Sequence, residues 1–247
     1  MSNDRHEADH HAYANSTFGP PPLADPDAPF RVENSHLMKM ELGKSSSSCK
    51  LSFVTRLNRR AVLQEFWCAS YEEAAVYQNL AAHSDVVNFK EQLTRVDFVG
   101  GNGKPTYTKV DAHLLLKDMN EVLFSVKYDT KARRKSYIEE IANIAGQCSR
   151  QVADRFNLGS RYAFHPVYRK CAAEIHKARR GWDPESDRIV LEAANDLGGA
   201  FSFGALIDRS MLGAKGYRAA VRLIGDGEIT KNILDPFCPE THCRSAA

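Results

Sequence analysis

Glu73, Asp111 and Lys127 are the residues whose types and spacing could do chemistry. Glu73 ends Ser70-Tyr71-Glu72-Glu73 at the head of an expected helix, Asp111 ends Lys109-Val110-Asp111 inside an apolar strand pattern, and Lys127 ends Phe124-Ser125-Val126-Lys127 on the next strand. An acid from a helix, an acid on a strand and a lysine on its hairpin partner can converge on one divalent cation and one phosphate. A carboxylate-bound Mg²⁺ activates water and absorbs phosphate charge, and a lysine assists the nucleophile or stabilises the transition state. That combination suits hydrolysis of a phosphodiester.

Simpler accounts stand beside it. Asp111 among alternating apolar residues would be partly desolvated and would need a partner, and a cation is one such partner. It can equally be a strand-edge acid in solvent, or form a plain salt bridge with Lys127. Ser125 and Lys127 share one face, because side chains on a strand repeat every second residue.

The elements that must position these groups follow from local signals. Ser70 suits an N-cap, and Glu72 and Glu73 suit the positive first turn of the helix behind it. Leu51 and Phe53, then Val62 and Phe66, fit two β segments around the turn Asn58-Arg59-Arg60. Residues 93–99 alternate, Gly100-Gly101-Asn102-Gly103 makes a hairpin turn, and strands follow over 107–116 and 122–127 with a turn at 118–121. A long helix is expected over 132–156 with Tyr137, Ile141, Ile144, Ala145 and Cys148 inward, then a short buried strand Tyr162-Ala163-Phe164 stopped by Pro166. This α–β–β–β–α–β order predicts an α/β fold, a mixed sheet flanked by helices, over residues 49–180. From residue 181 the pattern turns helical (189–197, 203–210 and 215–224) and closes with a β-like stretch at 228–234, which predicts a winged helix over 181–247.

Composition bounds the rest. The 247 residues are 43% hydrophobic and 26% charged, with a net charge of +2 that carries no argument for nucleic acid by itself. No apolar run nears the roughly 18 residues a membrane span needs, and MSNDRHEADHHAYANS has no signal-peptide core. Six irregularly spaced cysteines read as reduced thiols, so a cytoplasmic location is expected. Residues 1–48, with Pro20-Pro21-Pro22 and Ser45-Ser46-Ser47-Ser48, read as a disordered tail in which His6, His10 and His11 are solvated. Cys238, His242 and Cys243 lack a fourth ligand for a structural zinc. Asn157-Leu158-Gly159 and Gly198-Gly199 read as turn or helix-end glycines.

Ser70-x-x-Glu73, then Val86-Val87-Asn88-Phe89-Lys90-Glu91-Gln92, then Asp111, then Val126-Lys127 together resemble the TnsA endonuclease family, over roughly residues 50–170. The resemblance implies a restriction-endonuclease-like domain followed by a winged helix, Mg²⁺ or Mn²⁺ as cofactor, and cuts at the 5′ ends of a mobile element. It also implies DNA, a transposase subunit and an ATP-dependent regulator as partners. Glu73 and Asp111 would hold the metal, Lys127 would be the catalytic lysine, and Gln92 matches the family glutamine although Leu93 replaces the usual proline. Ser125 stands where the family has Gln or Glu. Three outcomes stay open: backbone carbonyls complete the metal shell, Glu139 or Glu140 replaces the missing ligand, or the scaffold binds and assembles on DNA without cutting it. A standalone nuclease of phage defence or repair is a further alternative.

Two basic clusters are candidate DNA contacts. Lys131, Arg133, Arg134 and Lys135 follow the catalytic lysine at the head of a helix. Lys215, Arg218 and Arg222 recur at i, i+3 and i+7 on the helix that a winged helix offers to the major groove, unless that face meets water or a protein.

Overall fold

The structure, a computed structural model, describes residues 18, 32–35, 49–59, 61–181 and 183–246. His6, His10, His11 and most of the expected tail lie outside them. Within that stretch Phe18 is buried edge-on against His113, with ring centroids 4.7 Å apart. Strand β1 (Val32–Glu33) runs parallel to β3 (Leu63–Cys68), which pairs antiparallel with β2 (Leu51–Thr55) on its other side.

Helix α1 (Tyr71–Ala82) starts at Ser70, whose extended backbone and hydroxyl cap it by accepting from the Glu73 amide at 3.2 Å. The chain then forms β4 (Val86–Glu91), the hairpin β5 (Arg95–Val99) and β6 (Pro105–Lys109), β7 (Ala112–Leu116), β8 (Glu121–Val126), the short α2 (Asp129–Ala132), α3 (Lys135–Gln147) and β9 (Arg155–Gly159). The central sheet has the order β4-β7-β8-β9. Its first three strands are antiparallel, whereas β9 lies parallel to β8, so the chain must cross over, and α3 makes that crossing. One face packs on α1 through Phe66, Val76, Tyr77, Phe89, Leu114 and Val126. The other packs on α3 and the hairpin through Val96, Leu123, Ile141 and Ile144. Gly159 admits α1 closely, since a Cβ there would lie 3.3 Å from Val76 Cγ1.

Four expectations change here. The strand expected over 107–116 is two strands, because β6 pairs only with β5 and β7 only with the central sheet. Asp111 therefore sits in a bend between them and not within a strand. The helix expected over 132–156 ends at Gln147, and Phe156 and Asn157-Leu158-Gly159 belong to β9, with Phe156 and Leu158 half-buried and Arg155 and Asn157 exposed. Tyr162 lies in a single 3-10 turn (Arg161–Ala163), exposed, where a buried strand was expected.

Past that turn, His165 caps α4 (Pro166–Arg180), with Pro166 at its first position. Then come α5 (Pro184–Leu197), β10 (Ala200–Ser202), α6 (Phe203–Ser210), α7 (Ala214–Asp226), β11 (Ile229–Lys231) and β12 (His242–Ser245). The last three strands form an antiparallel sheet of order β10-β12-β11. Helices α5, α6 and α7 contain the three expected from the pattern; α4 was not among them. Its Ala172, Ile175 and Ala178 join Val190, Leu206, Val221 and Leu223 in the C-terminal core. The same helix packs on α1 and β2. Arg179, fully buried, donates to Asp226 Oδ1 at 3.2 Å, Ala81 O at 2.9 Å and Gly225 O at 2.5 Å. The protein is thus mixed α/β, with sheets of parallel and antiparallel pairs flanked by helices. Among the described residues, no helix is long and apolar enough to cross a membrane.

Candidate functional site

Glu73 occupies the first turn of α1 and is 8% exposed. Its Oε2 accepts from the Ala69 amide at 2.9 Å and from Gln92 Nε2 at 2.7 Å, and its Oε1 accepts from Ser70 Oγ at 3.1 Å. Burial raises its pKa, the Asp111 charge adds to that rise, and the bonds from Ala69, Gln92 and Ser70 oppose it. The two carboxylates therefore share one electrostatic neighbourhood.

Asp111 is clamped by its backbone. Its amide donates to Phe124 O at 3.0 Å, while its carbonyl accepts from the Gln92 amide at 3.0 Å and from the Tyr77 hydroxyl. Tyr77 lies one helical turn beyond Glu73, so α1 carries one acid and anchors the backbone of the other. Gln92 joins them a second time. Its side chain holds Glu73 and its amide holds Asp111, from a left-handed backbone (φ 49°) that a non-glycine residue adopts only when its surroundings impose it.

The Asp111 side chain uses one oxygen for the fold. Oδ2 accepts from the Val126 amide at 2.5 Å, Lys127 Nζ at 3.3 Å and Ser125 Oγ at 3.4 Å. Among the described residues, no hydrogen bond reaches Oδ1. Lys127 also donates to its neighbour Val126 O at 2.8 Å. Burial alone would lower the Lys127 pKa, but Asp111 foremost, then Tyr137 and Glu73, turn the net shift upward, which keeps the ammonium charged. Ser125 lies 2.9 Å from the Tyr137 hydroxyl on α3, so that helix closes the site from behind the sheet. Tyr77 and Tyr137 neighbour these residues; the sequence did not flag Tyr77 and placed Tyr137 only on the inner face of a helix. The i+4 spacing of Tyr77 from Glu73 was the available signal.

The structure brings Glu73, Gln92, Asp111, Ser125 and Lys127 together. It does not bring Glu139 or Glu140, which are exposed, with Glu139 3.8 Å from Lys135 on the same helix. Among the described residues, no group of three or more His, Cys, Asp or Glu side chains is placed to hold one metal ion, at this site or at Cys238, His242 and Cys243.

Lys131 on α2, Arg133 and Arg134 in the turn between the helices and Lys135 at the head of α3 lie just past Lys127. Lys131 Nζ is 5.2 Å from the Tyr137 ring centroid, Arg133 pairs with Asp129 at 2.8 Å, and Arg134 is exposed. Lys215 and Arg218 are exposed at the start of α7, but the expectation for Arg222 is corrected. Arg222 is 2% exposed and donates to Asp187 Oδ1 at 2.8 Å and to Ala178 O at 3.3 Å. Helices α4 and α5 cover this flank of α7, so the periodic basic stripe ends after Arg218. No family model matches the chain, and no curated protein matches it.

Proposed function

We propose that the protein is a divalent-metal-dependent DNA endonuclease, similar to the TnsA subunit of heteromeric transposases, that hydrolyses phosphodiesters at the ends of a mobile element. The observation that carries this reading is buried Glu73 beside half-buried Asp111, with Lys127 Nζ 3.3 Å from the second acid. The chain order α1, β4, β7, β8, α3, β9 supports a restriction-endonuclease-like domain. The order β10-β12-β11 around three helices supports a winged helix behind it. The transposase and regulator as partners rest on the resemblance alone.

The donor set fits Mg²⁺ or Mn²⁺. It offers hard carboxylate oxygens, one of them (Asp111 Oδ1) outside the hydrogen-bond network, and like charges that a cation would neutralise. Glu73 and Asp111 would hold it, and it would supply Lewis-acid activation of water and phosphate. The chain's own residues do the rest. Gln92 and Tyr77 fix the separation of the two acids, and the Val126 amide and Ser125 orient Asp111. Lys127 holds a positive charge where a phosphate oxygen develops negative charge.

Mn²⁺ calorimetry on the wild type and Asp111→Ala, followed by plasmid nicking with Lys127→Met, tests this. The reading expects metal binding that disappears in Asp111→Ala and nicking that disappears in Lys127→Met. Wild-type protein that binds no metal at millimolar concentration, with or without DNA, would overturn it. A second reading, a non-cutting DNA-binding or assembly protein on the same scaffold, is favoured by Ser125. Its hydroxyl is engaged by Asp111 and Tyr137 and adds no charge for a metal. That reading expects Asp111→Ala to retain function while changes at Lys131, Arg134 or Arg218 do not.

A further inference from the structure

Three exposed tyrosines neighbour the site's residues along the chain and the sheet: Tyr71 is 72% exposed, Tyr128 46% and Tyr162 54%. Tyr71 opens α1 two residues before Glu73, and Tyr128 follows Lys127. Tyr162 lies just beyond β9, whose Gly159 sits beside Val126 and accepts from the Lys127 amide at 3.0 Å. Arg161 lays its guanidinium over the Tyr162 ring, and the two form a stacked platform. Its guanidinium carbon lies 4.7 Å from the ring centroid, and its Nη2 donates to the Tyr162 hydroxyl at 2.8 Å. Glu72 fixes that platform from α1, pairing with Arg161 Nε at 3.3 Å and accepting from the Arg161 amide at 3.2 Å. One helical turn therefore carries both the platform's anchor, Glu72, and the site's acid, Glu73.

We propose that Arg161 and Tyr162, with Tyr71, form a stacking surface for unpaired bases, so that the preferred substrate is DNA melted or frayed beside the scissile phosphate. This rests on the endonuclease reading. Aromatic faces recognise bases by stacking, and the bases of an intact duplex already stack on each other, out of reach of a side chain placed for the backbone. The Arg161 charge is met by Glu72, so its contribution is a flat surface held in register, not a free cation. The exposed Arg133, Arg134 and Lys135 beyond Tyr128 supply the positive flank that a single strand's phosphates need.

Fluorescence anisotropy in EDTA, where no cutting occurs, compares three labelled DNAs: a duplex, the same duplex with a short central bubble, and the single strand. The wild type should bind the bubble about fivefold or more tighter than the duplex. Tyr162→Ala should erase that preference and leave duplex affinity unchanged, and Tyr162→Phe should keep it. Circular dichroism of each variant guards against misfolding. Equal affinity for bubble and duplex, a preference that survives Tyr162→Ala, or no binding to any of the three DNAs would overturn the proposal. The endonuclease reading fails separately, through absent metal binding and nicking, so the two failures are distinguishable.

Discussion

Acidification should destabilise this protein through His176, by an amount that the surroundings of the ring determine. The imidazole is buried on α4, with Nε2 2.7 Å from Gln78 O and Nδ1 2.7 Å from Thr55 Oγ1. A carbonyl only accepts, so Nε2 carries the hydrogen and the Thr55 hydroxyl donates to Nδ1. A second proton on Nδ1 would require the Thr55 hydroxyl to turn its hydrogen to its other acceptor, Arg56 O at 3.2 Å, and would leave a charge in a buried site. Burial foremost lowers the His176 pKa from 6.5 to about 4, with Arg179 and Arg180 adding to the fall and the Gln78 bond opposing it. The unfolded chain therefore takes up a proton that the folded chain refuses. Stability is fully present above 6.5 and is lost as pH falls toward about 4. Moving from about pH 7.5 to about pH 5 should cost about 2 kcal/mol from this ring alone. That is a sizeable share of the roughly 5–15 kcal/mol that holds a domain together. Glu73 and Glu91, raised by burial, act in the opposite sense, and His113, lowered to about 4, acts in the same one. All three remain in a His176→Gln variant and cancel in the comparison. Urea unfolding of both proteins at both pH values is the assay. The wild type should lose about 2 kcal/mol more than His176→Gln, and parallel pH dependences would refute the argument.

Arg222→Ala should cost about 3–5 kcal/mol of unfolding free energy, because Asp187 would remain buried without its partner, whereas exposed Arg218→Ala should stay within about 0.5 kcal/mol; chemical denaturation separates them. Gly225→Ala should lower stability by about 1–3 kcal/mol in thermal melts, because a Cβ there falls 2.7 Å from Ile175 Cγ2 and 3.3 Å from Arg179 Nη2. Ser125→Glu adds a third carboxylate beside Asp111 and should tighten Mn²⁺ binding by about tenfold or more in calorimetry. Unchanged affinity would show that position 125 does not face the cation.

The candidate site was more legible in the sequence than the path of the backbone through it. Ser70 as a cap, the acids behind it and the Asp111–Lys127 hairpin relation follow from local rules, Gln92 came only from the family resemblance, and the structure gathers those residues. The bend at Asp111 did not follow. Residues 107–116 read as one strand, and neither Gly nor Pro marks the point where one strand changes partners. The boundary between α3 and β9 was lost for a related reason, since Phe156 can end a helical pattern as well as belong to a strand until β8 is known to lie alongside. Helical periodicity also cannot distinguish a buried charge from an exposed one. Arg222 continues the spacing of Lys215 and Arg218, and only the approach of Asp187 and Ala178 from other helices reveals its role. Helix α4 escaped notice because two of its six buried residues are polar, with His176 and Arg179 among Cys171, Ala172, Ile175 and Ala178.

Helix α4 is a wall common to two rooms. Its Ala172, Ile175 and Ala178 line the C-terminal core, while His176 and Arg179 reach back to Gln78 and Ala81 on α1. A chain cut after residue 180 would leave the first fragment with an uncovered apolar flank and the second without one side of its core. Loss of either half removes support from the other, so the two should melt in one transition and not in sequence. Any shortened version that keeps both cores intact must begin before β2 and end after β12.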